Sequence, residues 1–357
     1  MEWIRPDINI NFVGMRYKAL LASCLIILLG VVVLIWRGGL NMGVDFAGGT
    51  LIQLQFKKAV TPDEIRSSLK DLIAQSTIQQ IGAAQDHEFL IRTEAVTSEL
   101  QSLAHQVEES FTKTLGEGQV TVRRVEMVGP KVGQDLRQKA LFAVYFALLF
   151  IAIYISGRFE FKWGVSAIMG GALVLVIYLL STIGVNMVFV ICAALAITLV
   201  LCWVLKLPYA LGAELSLVHD ILITVGFFAL TNKEFTLEVL AALLTLAGYS
   251  LNDTIIIFDR IRENRNKDRR KPFHELVNDS INQTLSRTLL TSICVLLVLV
   301  CLFFFGGTVI HDFSFAMLIG VLAGTYSSVF VASPLLIFYD DITKGRRKSK
   351  RERTATA

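Results

Sequence analysis

The sequence predicts a polytopic α-helical membrane protein with eight spans and one external ferredoxin-like α+β domain between the first two spans. Of its 357 residues, 54% are apolar and only 18% are charged, whereas soluble domains are about 45–50% apolar and about 25% charged. The apolar residues form blocks long enough to cross a bilayer, which takes about 20 helical residues. One polar stretch, 37–137, separates the first block from the others.

The apolar blocks define the predicted spans. The first block is too long for the apolar region of a secretory signal, and no small-residue cleavage site follows it, so we expect a retained span. The eight predicted spans are 17–36, 139–157, 165–183, 187–205, 208–230, 236–258, 287–305 and 313–339.

The Lys and Arg residues beside the spans predict the orientation of the chain. They all fall on one side if the spans alternate, and the opposite connections are short and poor in basic residues, so we expect cytoplasmic termini and an external 37–137 segment. The basic positions are Arg5, Arg16, Lys18, Arg158, Lys162, Lys206, the cluster from Arg260 to Lys271 and the cluster from Lys344 to Arg353.

The polar stretch 37–137 has the alternating patterns of a small α+β domain. Thr61-Pro62-Asp63-Glu64 is a helix-start sequence, and Gly116 predicts the end of a second helix. The order β-α-β-β-α-β indicates a ferredoxin-like module, a fold that serves many functions. The predicted elements are a strand at 50–56, a helix from Thr61 to about Ala74, strands at 77–81 and 88–93, a helix at 98–115 capped by Thr97, and a strand at 120–128.

Asp253 is the strongest functional candidate, because it lies inside the apolar run 236–258. An ionisable side chain at mid-bilayer costs about 2.5–3.5 kcal/mol on insertion scales, so its presence suggests a function. Tyr249 lies one turn earlier on the same face and is expected to hydrogen-bond the carboxyl. Arg287 begins the next span at similar depth, with Thr291 one turn deeper. The alternatives are a structural Asp253 satisfied by an Asn or Arg partner, and an interfacial Arg287 that extends to water.

His219 and Asp220 form a second polar group, in the fifth span. They are candidates for supporting functional residues, and the structural alternative is a polar pair that holds helices together. Glu214, near the predicted cytoplasmic end of that span, is expected to reach water. Asp259 is expected at the membrane interface, beside the basic cluster.

Several classes of site find no support in the sequence. The spans contain no cluster of metal ligands, and the cysteines lie in apolar runs without a paired or CxxC spacing. A nucleophile elbow and a nucleotide loop are also lacking, so we expect neither an enzyme nor a cofactor. The basic clusters are typical of solvated anchors that attract anionic membrane lipid, and they do not indicate nucleic-acid binding. The cysteines are Cys24, Cys192, Cys202, Cys294 and Cys301.

A glycine motif, GVDFAGGT at 43–50, directly follows the first span. Its adjacent glycines, Gly48 and Gly49, permit positive φ and close approach of another backbone. The segment lacks the Lys and the strand-to-helix context of a phosphate loop.

Six segments carry a family resemblance: GVDFAGGT (43–50), VGPKVG (128–133), GRFEFKW (157–163), LVHDILIT (217–224), AALLTLAGYSLNDTIIIFDRIREN (241–264) and SRTLLTS (286–292). In them the sequence resembles SecF proteins of the SecD/SecF family, the smaller membrane partners of SecD in bacterial protein export, within the RND superfamily. With the order of spans, the match covers most of the chain. The segment around Asp253 is highly specific, whereas SecD proteins share the glycine motif.

The resemblance implies that the protein uses the proton gradient, together with a SecD-like membrane protein, to assist protein export. It implies a proton relay at Asp253, Asn252, Arg287 and Thr291, with a further Asp from SecD. It also implies a bacterial inner-membrane location, the SecYEG channel and YajC as partners, and exported unfolded polypeptides as substrates. On this basis the glycine motif is a candidate coupling element between the external domain and the spans, through Asp45, Phe46, Gly48 and Gly49.

One departure from the family concerns the number of spans. The resemblance implies a six-span RND-type core, so residues 165–206 are expected to form an extra helical hairpin with its turn at 184–186. An even number of added spans leaves the orientation downstream unchanged. The predicted organisation is a cytoplasmic N-terminus (1–16), the first span (17–36), the external domain (37–137), the second span and link (138–164), the hairpin (165–206), the last four spans (207–339) with a basic cytoplasmic loop (259–286), and a basic cytoplasmic tail (340–357).

Two further function classes remain open. An RND-type exporter of small molecules or lipids commonly contains two copies of the span set and two external domains, whereas this sequence has one external domain and no detected duplicate. In a non-transporting scaffold of the translocon, substitution of Asp253 would lower the abundance of the protein instead of its activity.

Overall fold

The computed structural model describes residues 8–70, 72, 76–81, 87–93, 100–116, 118–182 and 187–355. Several predictions lie outside these residues: the basic position Arg5, the helix end at Ala74, the helix cap Thr97 with the helix start at 98, the span end at 183 and the hairpin turn at 184–186.

Long helices make up most of the described chain, and a small sheet lies between the first and second of them. Two π-helical segments, Ser156–Glu160 and Ser328–Ala332, continue the helices before them. In chain order the elements are α1 (Phe12–Trp36), α2 (Val44–Ala47), β1 (Gly49–Phe56), α3 (Pro62–Leu69), β2 (Ser76–Ile81), β3 (Glu88–Thr93), α4 (Leu100–Leu115), β4 (Val120–Val128), α5 (Pro130–Ile155), α6 (Trp163–Thr182), α7 (Met187–Val204), α8 (Pro208–Thr231), α9 (Leu237–Lys267), α10 (Phe273–Phe305), α11 (Gly307–Ser327) and α12 (Ser333–Ala355).

Within the described ranges, seven helices are long and apolar enough to cross a membrane, and an additional apolar helix, Val188–Val204, is shorter. Several helices extend beyond the predicted spans. In particular, α9 and α10 leave only 268–272 between them, so most of the predicted loop 259–286 is helical. One cause is charge pairing along α9, where Glu263 contacts Arg260 at 3.0 Å and Lys267 at 2.7 Å, because such i,i+3 and i,i+4 pairs stabilise helices.

Contacts between the segments that connect the helices show which segments lie at the same end of the helical bundle. At one end, Gly43 N–H donates to Phe235 O at 2.9 Å, which joins the segment after α1 to the α8–α9 loop. At the other end, Arg158 contacts Asp259 at 2.7 Å, and Ile10 N–H donates to the Asn282 side chain at 2.9 Å. Successive helices therefore alternate in direction, and the described basic positions Arg158, Lys162 and Lys206 lie at the end that holds Ile10.

The sheet is antiparallel, with strand order β2-β3-β1-β4. Alternate residues of β1 and β3 point to one face and are buried under α3 and α4, as the two-residue period of a strand requires. This core contains Ile52, Leu54, Phe56, Ile65, Leu69, Phe89, Ile91, Leu103, Val107 and Phe111.

The helix predicted from Thr61 begins where expected. The Thr61 hydroxyl accepts from Glu64 N–H at 3.4 Å, and Thr61 N–H donates to the Glu64 carboxylate at 2.8 Å. This reciprocal pair is a capping box, which satisfies two free N–H groups. The helix extends from Pro62 to Leu69.

Helix α8 lies at the centre of the bundle, in contact with α1, α5, α7, α9, α11 and α12. Its crossing with α1 is close, because Gly30 and Gly226 face each other. A methyl group added at Gly30 would lie 2.9 Å from the Gly226 Cα. Small residues that let two backbones approach are typical of packed membrane helices.

Candidate functional site

Asp253 lies near the middle of α9 and is buried, with 1% of its surface exposed. Its Oδ2 accepts a hydrogen bond of 3.3 Å from the Ser292 hydroxyl of α10. That hydroxyl lies 2.8 Å from the Thr325 hydroxyl of α11. The carboxylate is therefore held where three helices meet.

Arg287 and Thr291, the predicted partners on α10, do not hydrogen-bond this carboxylate. Arg287 is exposed, and among the described residues no ion pair within 4.0 Å joins it to Asp253. Its charge is still near enough to interact with the carboxylate electrostatically. Thr291 donates to its own helix instead, at 3.1 Å from Arg287 O and 3.0 Å from Thr288 O.

Tyr249 and Asn252, the other predicted members, also make no hydrogen bond to Asp253. The Tyr249 hydroxyl is buried beside Ser292 but has no hydrogen-bond partner in the described part of the chain. Asn252 is exposed, on a different face of α9 from Asp253. The structure thus places Tyr249, predicted as a supporting residue, near Asp253 and turns the predicted relay residue Asn252 away.

Asp220 is a second buried carboxylate, on α8, with no measurable exposure. Its Oδ2 accepts hydrogen bonds from Ser250 of α9 at 2.6 Å and from Ser327 of α11 at 2.9 Å. Its Oδ1 lies 2.9 Å from Nδ1 of His219. Room for this cluster comes from Gly324 of α11, where an added methyl group would lie 2.9 Å from the Ser250 side chain.

A chain of hydroxyl groups continues from His219 to α1. The ring Nε2 lies 3.1 Å from the Ser23 hydroxyl, and Ser23 donates to the Tyr326 hydroxyl at 3.1 Å. Tyr326 in turn donates to the backbone carbonyl of Ala19 at 2.6 Å. The predicted pair His219–Asp220 therefore connects four helices: α1, α8, α9 and α11.

Glu214 does not reach water as predicted, because only 1% of its surface is exposed. It faces the hairpin helix α7, where the Cys202 thiol lies 3.9 Å from its carboxylate. The prediction considered distance from the end of the span alone. It did not include α7, which covers this end of α8.

The glycine motif forms a tight junction between the sheet and α5. Gly48 has φ of +78°, and a Cβ there would lie 2.8 Å from the Cα of Pro130, at the start of α5. A Cβ on Gly133 would lie 2.9 Å from the backbone nitrogen of Gly48. The prediction of close backbone approach at Gly48 is thus met by the first turn of α5.

The same motif contacts the start of α9, the helix that carries Asp253. The Asp45 carboxylate accepts a 3.0 Å hydrogen bond from Leu237 N–H, in the first turn of that helix. Thr236, the residue that precedes the helix, makes no side-chain cap of its own. The Phe46 and Phe235 rings pack with centroids 5.9 Å apart.

Two acidic groups at this junction are held partly away from water. Burial raises the pKa of Asp45 above its ordinary value, although the hydrogen bond from Leu237 opposes this. Burial also raises the pKa of Glu234, in the α8–α9 loop, against the attraction of Arg92 on β3 at 4.0 Å. Both carboxyl groups therefore take up protons more readily than free side chains.

No group of three or more His, Cys, Asp or Glu side chains that could hold a metal ion occurs among the residues that the structure describes. The arrangement of buried carboxylates, hydroxyls and one imidazole is suited to binding and moving protons.

Profiles of known protein families match much of the chain. The family profile "Protein export membrane protein SecD/SecF, C-terminal" matches residues 106–195 and 183–341, and the profile "SecD/SecF GG Motif" matches residues 33–60. The chain belongs to the SecD/SecF family of protein-export membrane proteins. The matched segments of this family contain both buried carboxylates, Asp220 and Asp253, and the junction at Asp45.

Relatives in the SecD/SecF family extend over nearly the whole chain. The protein translocase subunit SecF of Magnetococcus marinus is 40% identical over 337 residues, covering 93% of this chain and 92% of the relative. The SecF subunit of Desulfurispirillum indicum is 38% identical, covering 92% and 91%. The crystal structure of SecDF, a translocon-associated membrane protein from Thermus thermophilus, matches with a TM-score of 0.74 and 31% identity over 95% of this chain. This chain spans 40% of that SecDF chain.

The sequence-based site prediction missed the hydroxyl groups that hold the two carboxylates in this SecD/SecF family member. Ser292 was passed over for its neighbour Thr291, and Ser250, Ser327 and Ser23 were not selected. A signal was present, since each is a serine within an apolar helix. Without the fold, however, nothing distinguished them from serines that bond their own backbone.

Proposed function

We propose that the chain is an accessory membrane subunit of the Sec translocase and uses the proton-motive force, with a SecD-like protein, to assist protein export. The names of its relatives describe a transport role. The observation that carries the proposal is Asp253, a carboxylate buried in mid-helix with Ser292 as its hydrogen-bond donor. Such a group is costly in a membrane interior and is typical of proton pathways.

The proposed arrangement has eight spans in the bacterial inner membrane, with both termini in the cytoplasm. Helix α7, the shorter half of the extra hairpin, has 18 residues, or about 27 Å, close to the roughly 30 Å hydrocarbon core of a bilayer. Basic residues at the end that holds Ile10 support a cytoplasmic location for that end. The sheet then lies outside, and its β-α-β-β-α-β order with both helices on one face supports a ferredoxin-like domain.

A SecD-like partner is supported by the exposed faces of α9 and α10. On α9 these positions are Ala241, Thr245, Gly248 and Asn252, and on α10 Arg287 is exposed nearby. Small and polar residues on a membrane helix are typical of contacts with another helix, and an Arg there requires a partner or water. SecYEG, YajC and the unfolded exported polypeptide complete the proposed assembly.

The proposed mechanism begins with the charge state of Asp253. Protonation removes a buried negative charge, and release of the proton restores it within reach of the Arg287 field, so the two states favour different packing of α9 and α10. One charge crossing 100 mV provides about 2.3 kcal/mol, enough to change the ratio of two conformations by tens-fold. Because α9 begins at the Asp45 contact, its displacement would move the external domain.

The test measures protein export into inverted membrane vesicles with and without an imposed proton gradient. We expect Asp253→Asn to reduce the gradient-dependent part to the level of vesicles that lack the chain, because the amide keeps the shape and cannot take up the proton. Asp259→Asn is the matched control, since Asp259 lies on the same helix but is half exposed and paired with Arg158. We expect it to retain at least about half of the activity, as a surface ion pair contributes little.

Export at the wild-type rate in the Asp253→Asn vesicles would refute the proposal. A loss of export that matches a loss of membrane abundance would instead support a scaffold, so abundance is measured by immunoblot in the same vesicles.

A further inference from the structure

The His219–Asp220 pair is a buried titratable group that the proposed mechanism does not use. It lies among α1, α8, α9 and α11, with 6% and 0% of the two residues exposed. Its hydrogen bonds determine how many protons it holds, because each neighbouring hydroxyl has only one proton to donate.

The proton on Nε2 of His219 follows from the hydroxyl chain. Tyr326 donates its single proton to Ala19 O at 2.6 Å, so it can only accept from Ser23. Ser23 thereby uses its own proton, and its oxygen can only accept from Nε2, 3.1 Å away. Nε2 must therefore carry a hydrogen.

The other ring nitrogen, Nδ1, lies 2.9 Å from Oδ1 of Asp220. One proton must lie between these atoms, because two lone pairs would otherwise face each other. Either Nδ1 carries it beside a carboxylate, or Oδ1 carries it beside a bare nitrogen. In both forms the pair has no net charge and holds one proton more than a neutral imidazole with a carboxylate.

Loss of that proton would leave a net negative charge in a buried place. Tyr326 on α11 faces the pair, and its ring stacks on His219 at 6.0 Å. On α9, the titratable residues nearest in sequence to Ser250, the donor to Asp220, are Tyr249 and Asp253. From α1 the Ser23 hydroxyl faces the pair. None of these is a cation, so the deprotonated pair is costly unless its surroundings rearrange.

The same two helices hold both buried carboxylates. Helix α9 provides Ser250 to Asp220 and carries Asp253 one turn later. Helix α11 provides Ser327 to Asp220, and two residues earlier it places Thr325 against Ser292, the donor to Asp253.

A π-helical segment follows directly, at Ser328–Ala332. Such segments are frequent at functional sites and mark places where a helix departs from regular geometry. A change in protonation at Asp220 or Asp253 that shifts α9 or α11 would therefore alter the hydrogen bonds of the other carboxylate.

We propose that the His219–Asp220 pair is a second proton-binding site within the membrane, loaded in this structure and coupled to Asp253 through α9 and α11. On release, the proton between Nδ1 and Oδ1 passes to water as hydronium and leaves a neutral imidazole protonated on Nε2 beside a carboxylate. The inference deepens the proposed function and depends on it only in assigning protons as the ion that moves.

The test is a pH titration of the full chain, labelled with ¹⁵N-histidine, in lipid nanodiscs. His219→Gln identifies the His219 signals among the five histidines. We expect a proton on Nε2 throughout and a second, shared proton at Nδ1 that disappears as the pH is raised. In Asp220→Asn the shared proton should be absent at neutral pH, while the other four histidines are unchanged.

A purely structural pair gives a different spectrum. It would show a neutral imidazole protonated on Nδ1, donating to a permanent carboxylate, with no change over the pH range, and this result would overturn the proposal. If Asp220→Asn does not fold, Ser23→Ala takes its place. That variant removes the acceptor for the Nε2 proton and is expected to move the tautomer to Nδ1, so an unchanged spectrum would also overturn it.

Coupling is measured as the change in proton affinity of the pair when Asp253 is replaced. We expect at least about a fivefold change in Asp253→Asn, the low end of typical coupling between sites, and less than a twofold change in Asp259→Asn. Equal affinities in both variants would refute the coupling. This measurement does not use export. A failure of the coupling can therefore be distinguished from a failure of the proposed function.

Discussion

The Asp45 carboxylate accepts a 3.0 Å hydrogen bond from the backbone N–H of Leu237, the first residue of the helix that carries Asp253. The side chain of Thr236, the residue before this helix, makes no capping hydrogen bond. A residue from the glycine motif, far away in sequence, thus accepts from one of the free N–H groups of the first helical turn. The sheet domain and the buried carboxylate of Asp253 are linked through a single helix, α9.

Replacement of Asp45 by alanine should destabilise this junction. Loss of one such hydrogen bond costs about 0.5–1.5 kcal/mol, and we expect a lower midpoint of thermal unfolding for the purified chain in nanodiscs. Asp45→Asn keeps an oxygen acceptor and should remain within about 0.5 kcal/mol of the wild type. Equal midpoints for the two variants would show that the contact adds no stability.

The junction should become more stable as the pH falls. Burial raises the pKa values of Asp45 and Glu234 above 3.8 and 4.5, their ordinary values. The folded junction therefore binds protons more tightly than the unfolded chain, so stability is gained as the pH falls through the raised pKa values and is complete below the ordinary ones. Hydrogen exchange at the amides of Gly43, Phe235 and Leu237, corrected for the intrinsic rate, should show increasing protection.

The combined variant Asp45→Asn, Glu234→Gln is the control for this pH dependence, since it has neither titrating group. We expect the hydrogen-exchange protection of the same amides to be independent of pH in this variant. If the protection of the wild-type amides decreases as the pH is lowered, burial is not the dominant effect on the pKa values of Asp45 and Glu234.

Ser292 and Thr291 offer a direct comparison between neighbouring hydroxyls. A hydrogen bond to an ionised group contributes about 1.5–3 kcal/mol, so Ser292→Ala should change the balance between the two charge states of Asp253 by about tenfold or more. We expect a displaced pH profile of gradient-dependent export. Thr291→Ala should leave the profile unchanged, because Thr291 bonds its own helix. A larger effect in Thr291→Ala would favour the sequence-based assignment over the structural one.

Two glycines with similar φ allow the cost of backbone strain to be measured separately from the cost of a steric clash. Gly38 has φ of +76° with no atom within 4 Å of an added Cβ, and Gly48 has φ of +78° with the Pro130 Cα at 2.8 Å. Alanine in a left-handed conformation costs about 1–2 kcal/mol, so Gly38→Ala should lose about this much. Gly48→Ala should lose clearly more, as measured by thermal unfolding. Similar losses would mean that α5 can retreat from the junction at little cost.

Much of the fold could be predicted from local patterns. The strands at 88–93 and 120–128 occur at the predicted residues, and the cap at Thr61 and the helix end at Gly116 are confirmed. These features depend on neighbouring residues alone. The helices flanking 268–272 extend into a region predicted as loop, since charge content indicates exposure but does not forbid a helix.

The site could be predicted only in part, because its geometry depends on helical phase and on distant segments. Asp253 and Asp220 were selected by their chemistry, and both are buried. The choice of Thr291 over Ser292 was a matter of one residue, or about 100° around a helix. The Asp45–Leu237 contact joins residues 192 positions apart, and no pattern in a single sequence reports such a pairing.

The crossing of α1 and α8 at Gly30 and Gly226 limits which parts of the bundle can move. With no side chain between the two backbones, sliding or rotation of one helix past the other would press the side chains beside Gly30 or Gly226 against the opposite backbone. Side-chain contacts such as Ser250–Asp220 can break and re-form within a rotamer change, whereas this backbone contact cannot. We therefore expect α1 and α8 to act as the stationary frame of the cycle, with α9, α10 and α11 as the elements that shift against it.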